Sequence, residues 1–216
     1  MESFDLDAAS DVTLVVGGQA AYAPDELIDL TPKIYNIRVS SHAFKQASRV
    51  WRAMISGGTW KESSMAVIKL PEDNPDAMLL ILRIAHLHFD HVPTTMEQDE
   101  LYHVAVLCDK YDCIGLLRPW AHSWTKDRWL SFGLYEPGVL IIAWAFGLDA
   151  VLRQEVVKVV RESKATDGQA LVLDSGHDLT SEVVLSVVLG ELKCSCTTLI
   201  KLMFYKTRLS KCALRH

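Results

Sequence analysis

The stretch that decides the fold is Val67-Ile-Lys-Leu70, then Pro71-Glu-Asp-Asn-Pro-Asp76, then Ala77-Met-Leu-Leu-Ile-Leu-Arg-Ile-Ala-His86. Its first four residues read as a short strand. Two prolines then bracket a turn. Asn74 has a side chain that can accept a helix N–H, and Pro75 fits the first helical position, where a missing N–H costs nothing. The helix so opened, from Asp76 to about His88, is apolar nearly all round, which places it deep in a core. A strand that feeds a buried helix within one short run predicts strands and helices sharing that core.

Working outward, Asp11-Val-Thr-Leu-Val-Val16 is a β-branched strand ended by Gly17-Gly18, and Ile34-Tyr-Asn-Ile-Arg-Val39 is a second strand antiparallel to it. Residues 17–32 form their connection. Ser40-Ser41 supply an N-cap, and Ala43, Phe44, Ala47, Val50, Trp51, Met54 and Ile55 recur at steps of three and four as one helical stripe, stopped by Gly57-Gly58. After a loop at 91–95, helices are expected from about Glu97 to Tyr111 and from Cys113 to Trp124. A helix from Pro137 to Phe146 is closed by Gly147, and another covers Val151–Val160. A polar segment, Ser163–Gly176, precedes two more helices at Ser181–Leu192 and Thr197–Leu209. The expected organisation is an N-terminal tail over 1–9, an α+β domain over 10–125 and an all-α extension over 126–216.

Half of the 216 residues are hydrophobic and 23% are charged, a globular balance outside the regime of disorder. No apolar run approaches the ~18 residues of a membrane span. The acidic start Met1-Glu-Ser-Phe-Asp lacks the basic and apolar regions of a secretory signal, so an intracellular protein, in cytoplasm or nucleus, is expected. Five cysteines, an odd number without a disulfide spacing, read as reduced thiols. Charge is lopsided. The first 32 residues hold seven acids and no Lys or Arg, and Lys193, Lys201, Lys206, Arg208, Lys211 and Arg215 follow Glu191 with no acid among them. That tail suits nucleic acid or an acidic partner, or is simply a solvated helix face.

Catalytic and metal chemistry find little footing. His86, His88, His91 and His103 with Cys108 and Cys113 invite a zinc reading, but residues two apart on a helix point about 200° apart, so His86 and His88 cannot share a metal. Cys194, Cys196, Cys212 and His216 lack a structural-zinc spacing. Ser175-Gly-His177-Asp178 has the letters of a triad without the strand–turn–helix context of a nucleophile. Gly17-Gly18 has no Lys-Ser/Thr behind it to make a phosphate loop. The expectation is no enzyme, no metal and no cofactor. Trp120, Trp124, Trp129 and Trp144 read as core rather than as a binding platform.

Spaced residues over roughly 10–150 resemble the BTB/POZ family. Asp11-Val12 opens the first strand. Val39, Phe44, Ser48, Val50, Trp51 and Met54 keep the family register into the helix, and Trp60-Lys-Glu-Ser63 matches its hydrophobic-x-Glu-Ser. Ile68-Lys-Leu-Pro-Glu-Asp73 and Asp109-Lys-Tyr-Asp112 follow in order. Leu70 to Met78 with His86, and Cys113 with Trp120, Trp124 and Ala143-Trp-Ala-Phe-Gly147, look like the filamentous-fungal branch. The resemblance implies a small sheet flanked by a helical cluster, and a module that binds proteins and associates with itself. It also implies a link to the cullin scaffold of ubiquitin ligases through Trp60 and Glu62. The other reading of that tripeptide packs Trp60 on the sheet with Glu62-Ser63 in a turn. Where many members carry His-Lys or His-Arg after the strand valine, this chain has Ser40-Ser41, so Asp11 stands without the base that completes a charged partner groove in BTB repressors. The alternative to an adaptor is a nuclear, transcription-associated regulator acting through the basic tail. No membrane partner is expected.

Overall fold

A computed structural model describes residues 1–18, 33–56, 67–126, 137–165 and 171–173. The chain divides into two compact units, Met1–Lys126 and Asp127–His216. It is mixed α/β, compatible with the α+β class, with a small four-stranded sheet and seven α-helices among the described residues.

The sheet of the first unit runs β1 (Glu2–Asp5), β3 (Ile34–Val39), β2 (Val12–Gly17), β4 (Val67–Leu70) across its width. β2 and β3 pair antiparallel, as expected, from Val12 opposite Val39 to Gly17 opposite Ile34. β4 joins β2 in parallel and β1 joins β3 in parallel. Residues 1–9 are therefore not a tail. Phe4 packs edge-on against Tyr35 at 4.9 Å, and Asp5 pairs with Arg38 at 3.0 Å, which holds the short strand in place.

Alternation sets the faces. Val12, Leu14, Val16, Tyr35, Ile37, Val39, Ile68 and Leu70 are buried, while Arg38, Val67 and Lys69 are exposed. Full burial of a Leu or Ile side chain contributes roughly 1.5–3 kcal/mol, so this single face carries much of the unit's stability. Gly17, at φ +86°, closes the strand where a Cβ would stand 2.3 Å from the Lys33 carbonyl oxygen.

The stripe expected as one helix is two: α1 (Ser41–Ala47) and α2 (Arg49–Ser56). Ser48 breaks it. Its hydroxyl donates to the Tyr111 carbonyl and accepts from the amides of Val50 and Trp51, so the side chain caps α2 rather than letting α1 continue. The apolar stripe survives the break, because Phe44 and Trp51 stack with ring centroids 4.4 Å apart.

α3 (Pro75–Ala85) opens as read, with Asn74 accepting from Ala77 and Pro75 in the first turn, and buries Met78, Ile81 and Leu82. It ends earlier than expected. Leu87 turns left-handed, its amide reaching the Ile84 carbonyl and the His88 amide reaching that of Arg83. α4 (Gln98–Tyr111), preceded by a capping box between Glu97 and Glu100, ends the same way with Asp112 left-handed. A 3-10 turn at Ile114–Leu117 leads into α5 (Arg118–Thr125), whose Trp124 is fully buried and donates its indole N–H to the Pro93 carbonyl at 2.8 Å.

One buried acid ties these parts together. The Asp73 side chain, 1% exposed, receives Lys110 Nζ at 2.6 Å and the Tyr111 hydroxyl. Burial, with the Asp73 carboxylate next in weight, pushes the Tyr111 phenol well above its usual value and keeps it a donor.

The second unit contains α6 (Pro137–Ala145) and α7 (Asp149–Glu162), joined through Gly147 at φ +66°. Leu140, Ile142, Leu152 and Val156 are buried there. The expected all-α extension needs correction, since β5 (Ser163–Ala165) and β6 (Leu171–Leu173) pair antiparallel. Leu171-Val-Leu173 is a compact apolar run flanked by polar residues, a strand signal masked by the composition around it. The helices read at 181–192 and 197–209 and the basic tail lie outside the described residues.

Two outcomes follow for stability. Asp73→Ala leaves the Tyr111 hydroxyl and Lys110 without their acceptor and lowers unfolding free energy by about 2–4 kcal/mol. Leu87→Gly removes the cost of a left-handed leucine whose side chain is 73% exposed and raises it by about 0.5–1 kcal/mol. Urea denaturation midpoints at constant slope read both.

Candidate functional site

Of the three residues singled out for partner binding, Trp60 and Glu62 lie outside the described residues. Asp11 is exposed at the end of β2, where Oδ1 accepts the Ser41 amide at 2.6 Å. Ser40 sits at the N-cap of α1 with no side-chain cap bond, so the cap expected from serine is made by aspartate from the neighbouring strand. Hydrogen bonds from Ser41, and Lys45 more weakly, hold the Asp11 carboxyl below the usual carboxylate value. A negative charge at a helix N-terminus is stabilised there. Asp11 thus orients the start of α1 while its carboxylate faces solvent.

Next to it, His86 closes the β3–α1 junction from the other side. Its Nδ1 donates to the Leu82 carbonyl at 2.8 Å and its Nε2 accepts the Ser40 amide at 3.1 Å. Burial lowers its pKa below the ordinary histidine value. Sequence reasoning placed His86 in a family motif and in a rejected zinc set, but not at this junction. Its partner is 46 residues away, and spacing carries no signal for such a contact.

The other histidines do not gather. His88 and His91 rings lie 6.4 Å apart, and His103 faces Asp99 at 3.8 Å. Among the described residues, no three His, Cys, Asp or Glu side chains come together as metal ligands. An open groove of about 310 Å³ runs between α3 and α4, with Asp76, Arg83, His91, Met96, Asp99 and His103 on its walls. Asp76 is already engaged, by Lys33 at 2.7 Å and by the Tyr35 hydroxyl at 2.8 Å, and that carboxylate raises the Lys33 pKa.

The aromatic residues divide. Trp124 is core, whereas Trp120 is half-buried, 6.3 Å from Trp124 and 5.4 Å from Phe89, which is 49% exposed. Trp144 is half-buried in the second unit, and Trp129 lies outside the described residues. Leu87 and Phe89 leave an apolar loop at the surface beside this ladder, a feature hidden in the sequence because the α3 pattern reads on to His88.

Cys108 and Cys113 are both buried free thiols, 3.8 Å apart. They occupy the two positions that touch across a left-handed helix end, where an apolar contact is usual. The Cys113 thiol hydrogen bond and burial push the Cys108 pKa far up, so it is an inert thiol. In the folded chain both resist iodoacetamide, roughly a hundredfold more slowly modified than in urea, as peptide mass mapping reads.

No protein-family model matches the chain, and no curated protein is detectably similar to it in sequence.

Proposed function

We propose that Met1–Lys126 is a protein-interaction module of the BTB/POZ kind, which binds other polypeptides and a second copy of itself and carries out no turnover. The observation that carries this reading is the meeting of distant motif residues at one joint. Asp73, from the Leu-Pro-Glu-Asp run, accepts from Lys110 and Tyr111 of the Asp-Lys-Tyr-Asp run, and Ser48 of the helix register bonds the Tyr111 carbonyl. Arg49 pairs with Asp112 in the same place. Residues matched only by spacing in the sequence thus have a common structural reason to be present together. The small sheet with helices packed on it is the arrangement the resemblance implies.

Within this reading, Trp60 and Glu62 are the anchor for a cullin scaffold: an aromatic supplies apolar area and a carboxylate fixes orientation. Asp11, an exposed acid fixed on a rigid junction, is a further contact for a partner. Client recognition falls to residues outside the module.

The test is sedimentation of the full chain with and without a purified cullin N-terminal region. The expected result is a concentration-dependent dimer and a complex with the cullin. Trp60→Ala combined with Glu62→Ala weakens that complex at least about tenfold, a loss of some 1.4 kcal/mol, with an unchanged unfolding midpoint. A chain that stays monomeric and ignores the cullin overturns the reading.

A further inference from the structure

Both ring nitrogens of His86 are committed. Nδ1 donates to the Leu82 carbonyl and Nε2 accepts the Ser40 amide, an arrangement open only to the neutral imidazole protonated at Nδ1. A second proton would sit on Nε2 and face an N–H that has no lone pair to receive it. The Ser40 amide and the new ring N–H would then both lose their partner.

The position of that amide gives the loss a consequence. Ser40 is where β3 turns into α1, and the next amide, that of Ser41, is held by Asp11. Two consecutive amides at the start of one helix are thus held by two titratable acceptors from different elements. His86 accepts only while neutral, and Asp11 best while charged.

We propose that His86 is an acid-operated latch on α1: neutral, it holds the Ser40 amide, and on taking a proton from solvent at Nε2 it releases that amide and loosens the β3–α1 junction while Asp11 still holds Ser41.

The groups facing the ring set the window. Burial opposes the charged form most, His88 from the loop after α3 also opposes it, and Asp7 from the β1–β2 connection favours it. From α3 the ring meets the Leu82 carbonyl, and from the junction the Ser40 amide. Because the folded value lies below the ordinary ~6.5, the stability that the latch supplies is complete above about pH 6.5 and is lost as pH falls through the lowered value. Asp11, itself held low, lets go only at a more acid pH than an ordinary carboxyl.

The experiment uses the full chain labelled with ¹⁵N, with ring tautomers read by NMR and amide exchange compared at pH 7.5 and pH 5 after correction for intrinsic rates. At pH 7.5 the His86 ring carries its proton on Nδ1. At pH 5 the Ser40 amide exchanges roughly tenfold faster, and the Ser41 amide keeps its protection. His86→Gln, which can still offer an oxygen to Ser40 but takes up no proton, removes the pH dependence at Ser40. An Nε2-protonated ring at pH 7.5, equal Ser40 protection at both pH values, or joint loss at Ser40 and Ser41 each overturns the proposal. Should the glutamine variant not fold, the tautomer and the Ser40–Ser41 comparison in the unsubstituted chain decide alone.

Discussion

A single carboxylate, that of Asp73, joins the turn after β4 to the far end of α4. Burying an ion is expensive, and the expense is offset only when every acceptor site meets a donor. Here the Lys110 ammonium supplies charge, and the Tyr111 hydroxyl supplies a second, charge-assisted bond. The main-chain carbonyl of Tyr111 in turn takes the Ser48 hydroxyl that starts α2. Sheet, α2 and α4 are therefore registered against one residue pair, and the stacking of Phe44 on Trp51, with Tyr111 tilted against it at 5.3 Å, fills the space that this register leaves.

Much of this was legible where local chemistry and periodicity agree. The strands at 12–17, 34–39 and 67–70 and the Asn74–Pro75 helix start are set by neighbours in sequence, and they stand where the pattern puts them. The break at Ser48 was not legible, because a serine within an amphipathic stripe looks like any polar face until its hydroxyl finds a carbonyl 63 residues on. β1 was missed for a related reason: Glu-Ser-Phe-Asp has little strand character, and only Tyr35 and Arg38, both contributed by β3, make it one. Asp11 was recognised as a candidate from its family position, but the task it performs on α1 depends on where the β3 strand ends.

The helix ends show how one backbone solution tolerates different side chains. α3, α4 and α6 all finish with a left-handed residue and the same paired amide-to-carbonyl bonds, on Leu87, Asp112 and Gly147 in turn. Glycine adopts this conformation freely and aspartate tolerates it, whereas leucine is strained there. The strained one also leaves an apolar side chain in water, two residues before Phe89, whose ring lies against the half-buried Trp120.

Among the described residues, β1 is an outer strand of the sheet, and its charges bear on what could pair along it. An outer strand offers unpaired backbone groups to any other edge that approaches. Were two such edges to align antiparallel about their centres, Glu2 of one would stand across from Asp5 of the other, and Arg38 balances only the second of those two carboxylates. The acidic border therefore works against two such edges fusing into one continuous ribbon.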